Sequence, residues 1–190
     1  MTAFRTTGPD AEPVTLAEAK AHLRLQHDSE DELITGLIRA AREEVERATG
    51  LALLPQTWRK VLDALPSDRI VRLTPWPVRE VQSVTVFGED GEGVLVNPSR
   101  YAVDTTSRPA RIVFHRQLQP GAALNGIEVD YVAGHGEAGT DVPDLVKRAM
   151  LMLIAHWYEF RGVVGASAQP VSWPPGYDRL IAPFRQRRIA

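Results

Sequence analysis

Over the first fifty residues the apolar positions repeat with helical spacing. Thr15, followed three residues on by Glu18, is a capping box, and Leu16, Ala17, Ala19 and Leu23 lie on or near one face of a short helix running to Leu25. Ser29 and Glu32 repeat that signature ahead of a longer helix. Its apolar positions are Leu33, Ile34, Leu37, Ile38, Ala41, Val45 and Ala48, the stripe of a half-buried helix. Arg39, Arg42, Glu43, Glu46 and Arg47 occupy the other face, and Gly50 stands where a C-cap glycine belongs. Residues 1–14, with Gly8, Pro9 and Pro13 and no periodicity, are predicted to be a flexible leader.

From residue 55 to residue 133 the pattern changes to strands. Trp58–Leu62, Ile70–Leu73, Val78–Phe87, Val94–Val96, Tyr101–Val103, Arg111–Arg116 and Ile127–Ala133 are β-type runs separated by turn residues. Ile127, Val129, Tyr131 and Ala133 alternate with Glu128, Asp130 and Val132, so the last strand buries one face. Connections this short leave no room for crossover helices, which predicts a mostly antiparallel sheet. Pro75 and Pro77 around Trp76 mark an edge or a sharp corner. A third helix is predicted over 143–161, with Asp141 as N-cap and Pro143 in its first turn, about 28 Å long. Its middle, Ala149–Ala155, is apolar on all sides, so it is either plain core or a contact with another subunit, Met152, Ile154 and Trp157 being the candidate contact residues. Residues 163–190, with Pro170, Pro174, Pro175 and Pro183, read as an irregular arm. The fold class is α+β: two N-terminal helices and a long helix in the C-terminal half, a mostly antiparallel β module at 55–133 inserted between them, and the arm.

Composition narrows the function classes. The chain has 190 residues and no cysteine, which excludes disulfides, thiolate metal sites and cysteine nucleophiles. Its net charge of −2 argues against a basic protein that coats nucleic acid. The longest apolar run is too short to span a bilayer, and the first ten residues lack the apolar core of a signal peptide, so a soluble, intracellular protein with no membrane association is expected.

Few residues invite a chemical reading. Gly134-His135-Gly136-Glu137-Ala138-Gly139 is a literal G-x-G-x-x-G, but Thr140 to Pro143 separate it from the helix, and Asp141 would set a carboxylate where a phosphate belongs. The segment reads as a linker in which Gly134, Gly136 and Gly139 form a hinge. The five histidines show no metal-ligand spacing, and His156 beside Trp157 and Tyr158 reads as a packed residue. No catalytic residue, cofactor or metal site is expected. The stretch 176–190 is different: Arg179, Arg185, Arg187 and Arg188 stand against Asp178, a net charge of +3 that leaves −5 on the rest of the chain. With Trp173, Tyr177, Ile181 and Phe184 it is either a solvated basic end or an arm that docks on a partner, and the aromatic residues favour docking.

Several stretches together resemble the head–tail connector (adaptor) family of long-tailed bacteriophages and gene transfer agents. They are Val14–Leu25, the acidic Asp28–Glu32, Glu46–Gly50, Gln56–Trp58, Leu73–Val78, Tyr101–Asp104, Val129–Gly136 and Val142–Arg161. The resemblance runs from Val14 to Arg161 and makes 15–162 the connector domain. It implies a homo-oligomeric, commonly dodecameric ring in the neck of a particle assembled in the bacterial cytoplasm. The ring docks on the portal protein of a DNA-filled capsid above stopper or other tail proteins, and double-stranded DNA passes through its lumen without being read. A body at −5 suits a channel that must not trap phosphate. On this reading Trp173, Tyr177, Phe184, Arg185, Arg187 and Arg188 contact the portal. The alternatives are another neck or tail ring (a stopper or tail terminator), a small nucleotide- or metal-dependent enzyme using Gly134–Gly139 or His156, and a helix-turn-helix DNA-binding module. The last is disfavoured because the second helix carries as many acids as bases.

Overall fold

A computed structural model describes residues 2–160 and 173–185. The chain divides into two compact units: residues 2–10 with 55–135, which hold the strands, and residues 11–54 with the described part of 136–185, which hold the helices.

The strand unit contains β1 (Thr2–Thr7), β2 (Gln56–Leu62), β3 (Ile70–Leu73), β4 (Val78–Phe87), β5 (Gly93–Leu95), β6 (Tyr101–Asp104), β7 (Ala110–Phe114) and β8 (Ile127–Ala133). They form a five-stranded sheet, ordered β1-β2-β8-β4-β5, and a three-stranded sheet, ordered β3-β7-β6. Every pairing is antiparallel. β8 alternates as its sequence predicts: Ile127, Val129, Tyr131 and Ala133 are buried. Val71 and Leu73 of β3 and Ile112 and Phe114 of β7 are also fully buried. The proline pair lies at a corner, since β3 belongs to one sheet and β4 to the other. The Tyr131 hydroxyl donates to the carbonyl of Thr74 there, fastening the corner to the middle of β8, and burial pushes the Tyr131 phenol up.

β1 corrects the expected flexible leader. Thr2–Thr7 pairs with β2, from Thr2 opposite Val61 to Thr7 opposite Thr57. An exposed edge strand buries no face, so it carries no apolar period to read; its order comes from backbone hydrogen bonds to a distant partner.

The helical unit contains α1 (Leu16–Leu23), α2 (Asp31–Thr49), α3 (Asp144–Phe160) and α4 (Tyr177–Ile181). The capping box at Thr15 forms: Thr15 Oγ1 accepts from Glu18 N–H at 3.1 Å and Glu18 Oε2 accepts from Thr15 N–H at 2.8 Å. Lys147 of α3 reaches the other Glu18 oxygen at 2.9 Å. Gly50 closes α2 in the left-handed region, φ 72°. Two expected caps differ. Ser29 bonds the His27 ring at 2.9 Å, and Glu30 is the N-cap of α2, without a side-chain capping bond. The Asp141 carboxylate turns back to the N–H of Ala138, closing a 3₁₀ turn at Gly139–Asp141, and α3 begins after Pro143, whose carbonyl accepts from Val146 N–H at 2.9 Å.

The arm expected to be irregular contains α4. Tyr177 and Ile181, four residues apart, are 1% and 0% exposed, and five residues between prolines are too short a run for helical periodicity to show. Arg42 of α2, placed by sequence on the solvent face, is 4% exposed. Its Nε donates to Glu12 at 2.8 Å and its Nη1 to Glu46 at 3.0 Å, while the second Glu46 oxygen accepts from Leu53 N–H at 2.9 Å.

Two predictions follow from these contacts. Arg42→Ala leaves Glu12 and Glu46 without their buried cation, and urea unfolding should show a loss of about 3–5 kcal/mol. Glu18 has its carboxyl lowered to about 2, first by the Thr15 backbone bond and then by Lys147. A carboxyl depressed on folding adds stability above its ordinary value of 4.5, lost as pH falls toward 2. Thermal unfolding of wild type and Glu18→Gln should therefore differ most above pH 4.5 and converge near pH 2.

Candidate assembly surfaces

The residues singled out as contact candidates fall into two regions of the helical unit. On α3, Val146, Ala149, Met150, Leu153 and Ile154 form the buried stripe. Ile154 is fully buried and belongs to the unit's own core. Met152 and Trp157 lie beside the stripe and are half-buried, whereas Leu145 is 47% exposed. Glu30, the N-cap of α2, accepts a hydrogen bond from the Tyr158 hydroxyl. The His156 ring stands 4.7 Å from that of Phe160, a packed histidine. Among the described residues no group of three or more His, Asp or Glu side chains could hold a metal ion.

The second region is the segment 173–185. Gly176 enters α4 at φ 90°, in the left-handed region where a side chain is strained. A Cβ at that position would lie 3.9 Å from the Met152 methyl, so the turn packs along α3. The Tyr177 phenol is pushed up to about 12 by burial first, with Glu44 adding to it, and its buried hydroxyl has no hydrogen-bond partner among the described residues. Trp173 stacks on the Tyr177 ring at 5.5 Å and an interplanar angle of 23°, yet stays 42% exposed. Arg185 pairs with Asp178 at 2.6 Å, both exposed, and Phe184 is half-buried. Tyr177 and Ile181 are therefore committed to the fold, whereas Trp173 and Arg185 are presented on the surface. Arg187 and Arg188 lie outside the described residues.

The glycine segment offers no phosphate cradle. A Cβ on Gly136 would stand 2.3 Å from the Asp141 carboxylate, so an acid fills the space beside the loop. A Cβ on Gly139 would stand 2.5 Å from the Pro13 carbonyl oxygen, a close backbone approach that only glycine permits. His135 meets Trp76 edge-on at 5.7 Å, with the Arg108 guanidinium 4.8 Å from the centre of the Trp76 ring system. Burial first and Arg108 second hold the His135 imidazole below its ordinary range, in keeping with a neutral packed ring.

The chemistry on these surfaces is that of packing and ion pairing, and the comparisons with known proteins agree. Residues 13–73 match the family model described as Phage gp6-like head-tail connector protein. A search of curated proteins finds no match. Among solved structures, a chain from "Virion of native gene transfer agent (GTA) particle" is 26% identical with a TM-score of 0.82, covering 100% of this chain and 98% of that one. Chains from "Neck of empty GTA particle computed with C6 symmetry" and "Neck of native GTA particle computed with C12 symmetry" are each 25% identical, with TM-scores of 0.81 and 0.80 over the same shares. Both comparisons lead to structural components of a particle and not to enzymes. Residues 13–73 are thus similar to the phage gp6-like head–tail connector family, and over its whole length the chain is similar to chains from gene transfer agent particles and their necks.

Proposed function

We propose that this chain is a head–tail adaptor: copies assemble into a ring in the neck of a phage-like particle, join the portal of a DNA-filled capsid to the tail, and leave a lumen for double-stranded DNA. The observation that carries the reading is the likeness over 100% of the chain to neck structures computed with C6 and C12 symmetry. A ring of identical copies uses heterologous contacts that close by rotation, so each copy needs two different surfaces. Met152 and Trp157, half-buried beside the α3 stripe, form one of them, with Ile154 holding the helix in place from behind. The segment 173–185 grips the portal through Trp173, Phe184 and Arg185, continued by Arg187 and Arg188. Tyr177 anchors it from within, so little ordering entropy remains to be lost on docking. Gly134 and Gly136 flank the point where the chain passes from the strand unit to the helical unit, and serve as the hinge by which one subunit shape meets neighbours of different symmetry.

Since Tyr177 and Ile181 are buried, truncating the arm would uncover the helices, and point substitutions at exposed positions make the sharper test. Trp173→Ala combined with Arg185→Glu should leave the thermal midpoint of the subunit near wild type. Losing an aromatic anchor at an interface costs about 2 kcal/mol or more. Particles carrying this variant should show filled heads without tails by negative-stain microscopy; normal tail joining would refute the assigned portal grip. Labelled chain found anywhere other than the neck of averaged particle images would overturn the adaptor reading itself.

A further inference from the structure

The strand unit carries a surface for which the connector likeness gives no role. Segments 66–74 and 97–117 hold Arg69, Arg72, Arg100, Arg108, Arg111 and Arg116 against Asp68 and Asp104, a net charge of +4 in a chain of net charge −2. Arg72 and Arg111 have carboxylate partners in Asp68 and Asp104, at 3.7 and 3.0 Å. Arg69, Arg100 and Arg116 are exposed and make no ion pair among the described residues. Backbone hydrogen bonds gather them at one end of the small sheet: His115 N–H donates to the Arg100 carbonyl at 2.9 Å and Phe114 N–H to the Arg69 carbonyl at 3.0 Å. The Arg69 side chain in turn donates to the His115 carbonyl at 2.6 Å. Arg69 is held at φ 58°, a left-handed conformation that few non-glycine residues adopt.

Two clefts meet at Arg100. One, of about 310 Å³, is lined by Ser99, Arg100, His115 and Arg116. The other, of about 350 Å³, has Arg100 on its wall and Val86, Val94, Leu95, Val96 and Leu118 among its apolar lining. β5 forms its rim and is an edge strand, paired among the described residues with β4 alone, and Val94 and Leu95 are 67% and 71% exposed. A free strand edge beside apolar side chains is a template for another strand, and unpaired arginines beside it select carboxylates, which a guanidinium can bind through two parallel hydrogen bonds. A phosphate backbone has no use for the exposed valine and leucine, which favours a protein occupant over DNA.

We propose that β5 and the two clefts bind an extended acidic and apolar peptide segment of a neighbouring protein in the particle. The segment adds a strand to β5, sets apolar side chains along the Val94–Leu95 edge, and meets Arg69, Arg100 and Arg116 with carboxylates. This rests on the neck reading above, and the test separates the two. The full-length chain with Leu95→p-benzoylphenylalanine is assembled into particles, irradiated, and the crosslinked peptide sequenced by mass spectrometry. The expected product is a protein segment with acidic residues adjoining the crosslinked position. Its yield should fall at least about tenfold with Arg100→Glu plus Arg116→Glu, as for truncating an interfacial charge pair, and less with the glutamine pair. Crosslinking to DNA, to a segment without acids, or to nothing in particles that contain the chain overturns the proposal, as does a yield indifferent to charge reversal. Particles from which the chain is missing altogether overturn the neck reading instead.

Discussion

A single guanidinium, that of Arg42, ties the two ends of segment 11–54 to α2. Taking this group out of water is costly, and burial alone would favour its neutral form; Glu12 and Glu46 outweigh that and raise its pKa further. Glu46 spends its second oxygen on the N–H of Leu53, so the group of three charges leaves no carboxylate of Glu46 unsatisfied. The positions it ties are significant. Glu12 lies one residue inside the point where the chain enters the helical unit, and Leu53 one residue before it leaves. The clamp therefore fixes both ends of segment 11–54 against α2.

Within the strand unit Tyr131 plays the corresponding part. It is fully buried at the centre of β8, and its hydroxyl bonds the carbonyl of Thr74 at the corner between β3 and β4. On the opposite face Arg59 makes a two-pronged contact with Asp130, at 2.7 and 2.9 Å, and reaches Glu128 at 2.9 Å. One face of β8 is thus locked by packing and the other by ion pairs, which leaves the sheet's free hydrogen-bonding capacity at its two edges, β1 and β5.

Residues 173–181 show how a folded element can hold an aromatic side chain at the surface. Tyr177 and Ile181 are buried, so the backbone between them is ordered by the subunit itself. Trp173, stacked on Tyr177, is held in one orientation while remaining exposed. The entropy of ordering a large aromatic is thereby met in folding, which is what the proposed docking on a partner would draw on.

Sequence alone determined the elements whose signals are local. The Thr15–Glu18 capping box, the Gly50 stop, the apolar stripe of α2, the alternation of β8 and the antiparallel β module were all legible, because each rests on residues within a turn or two of one another. The absence of cysteine and the modest charge bounded the chemistry, and the scattered family blocks pointed to a connector. The rest was decided by partners far apart in the chain. β1 has no apolar period and exists because β2, some fifty residues away, offers its edge. Arg42 reads as a solvent-facing residue in the α2 pattern, and only Glu12 and Glu46 converging on it make its burial stable. Tyr177 and Ile181 are two apolar residues among prolines until α2 and α3 supply the surface they cover. The basic cluster is invisible as a run, since Arg69, Arg100 and Arg116 meet only after the antiparallel pairing of β3, β6 and β7 brings their ends together. A local pattern can be read where the energy that fixes it is local; long-range hydrogen bonds and buried charges are set by topology, which one-dimensional periodicity does not record.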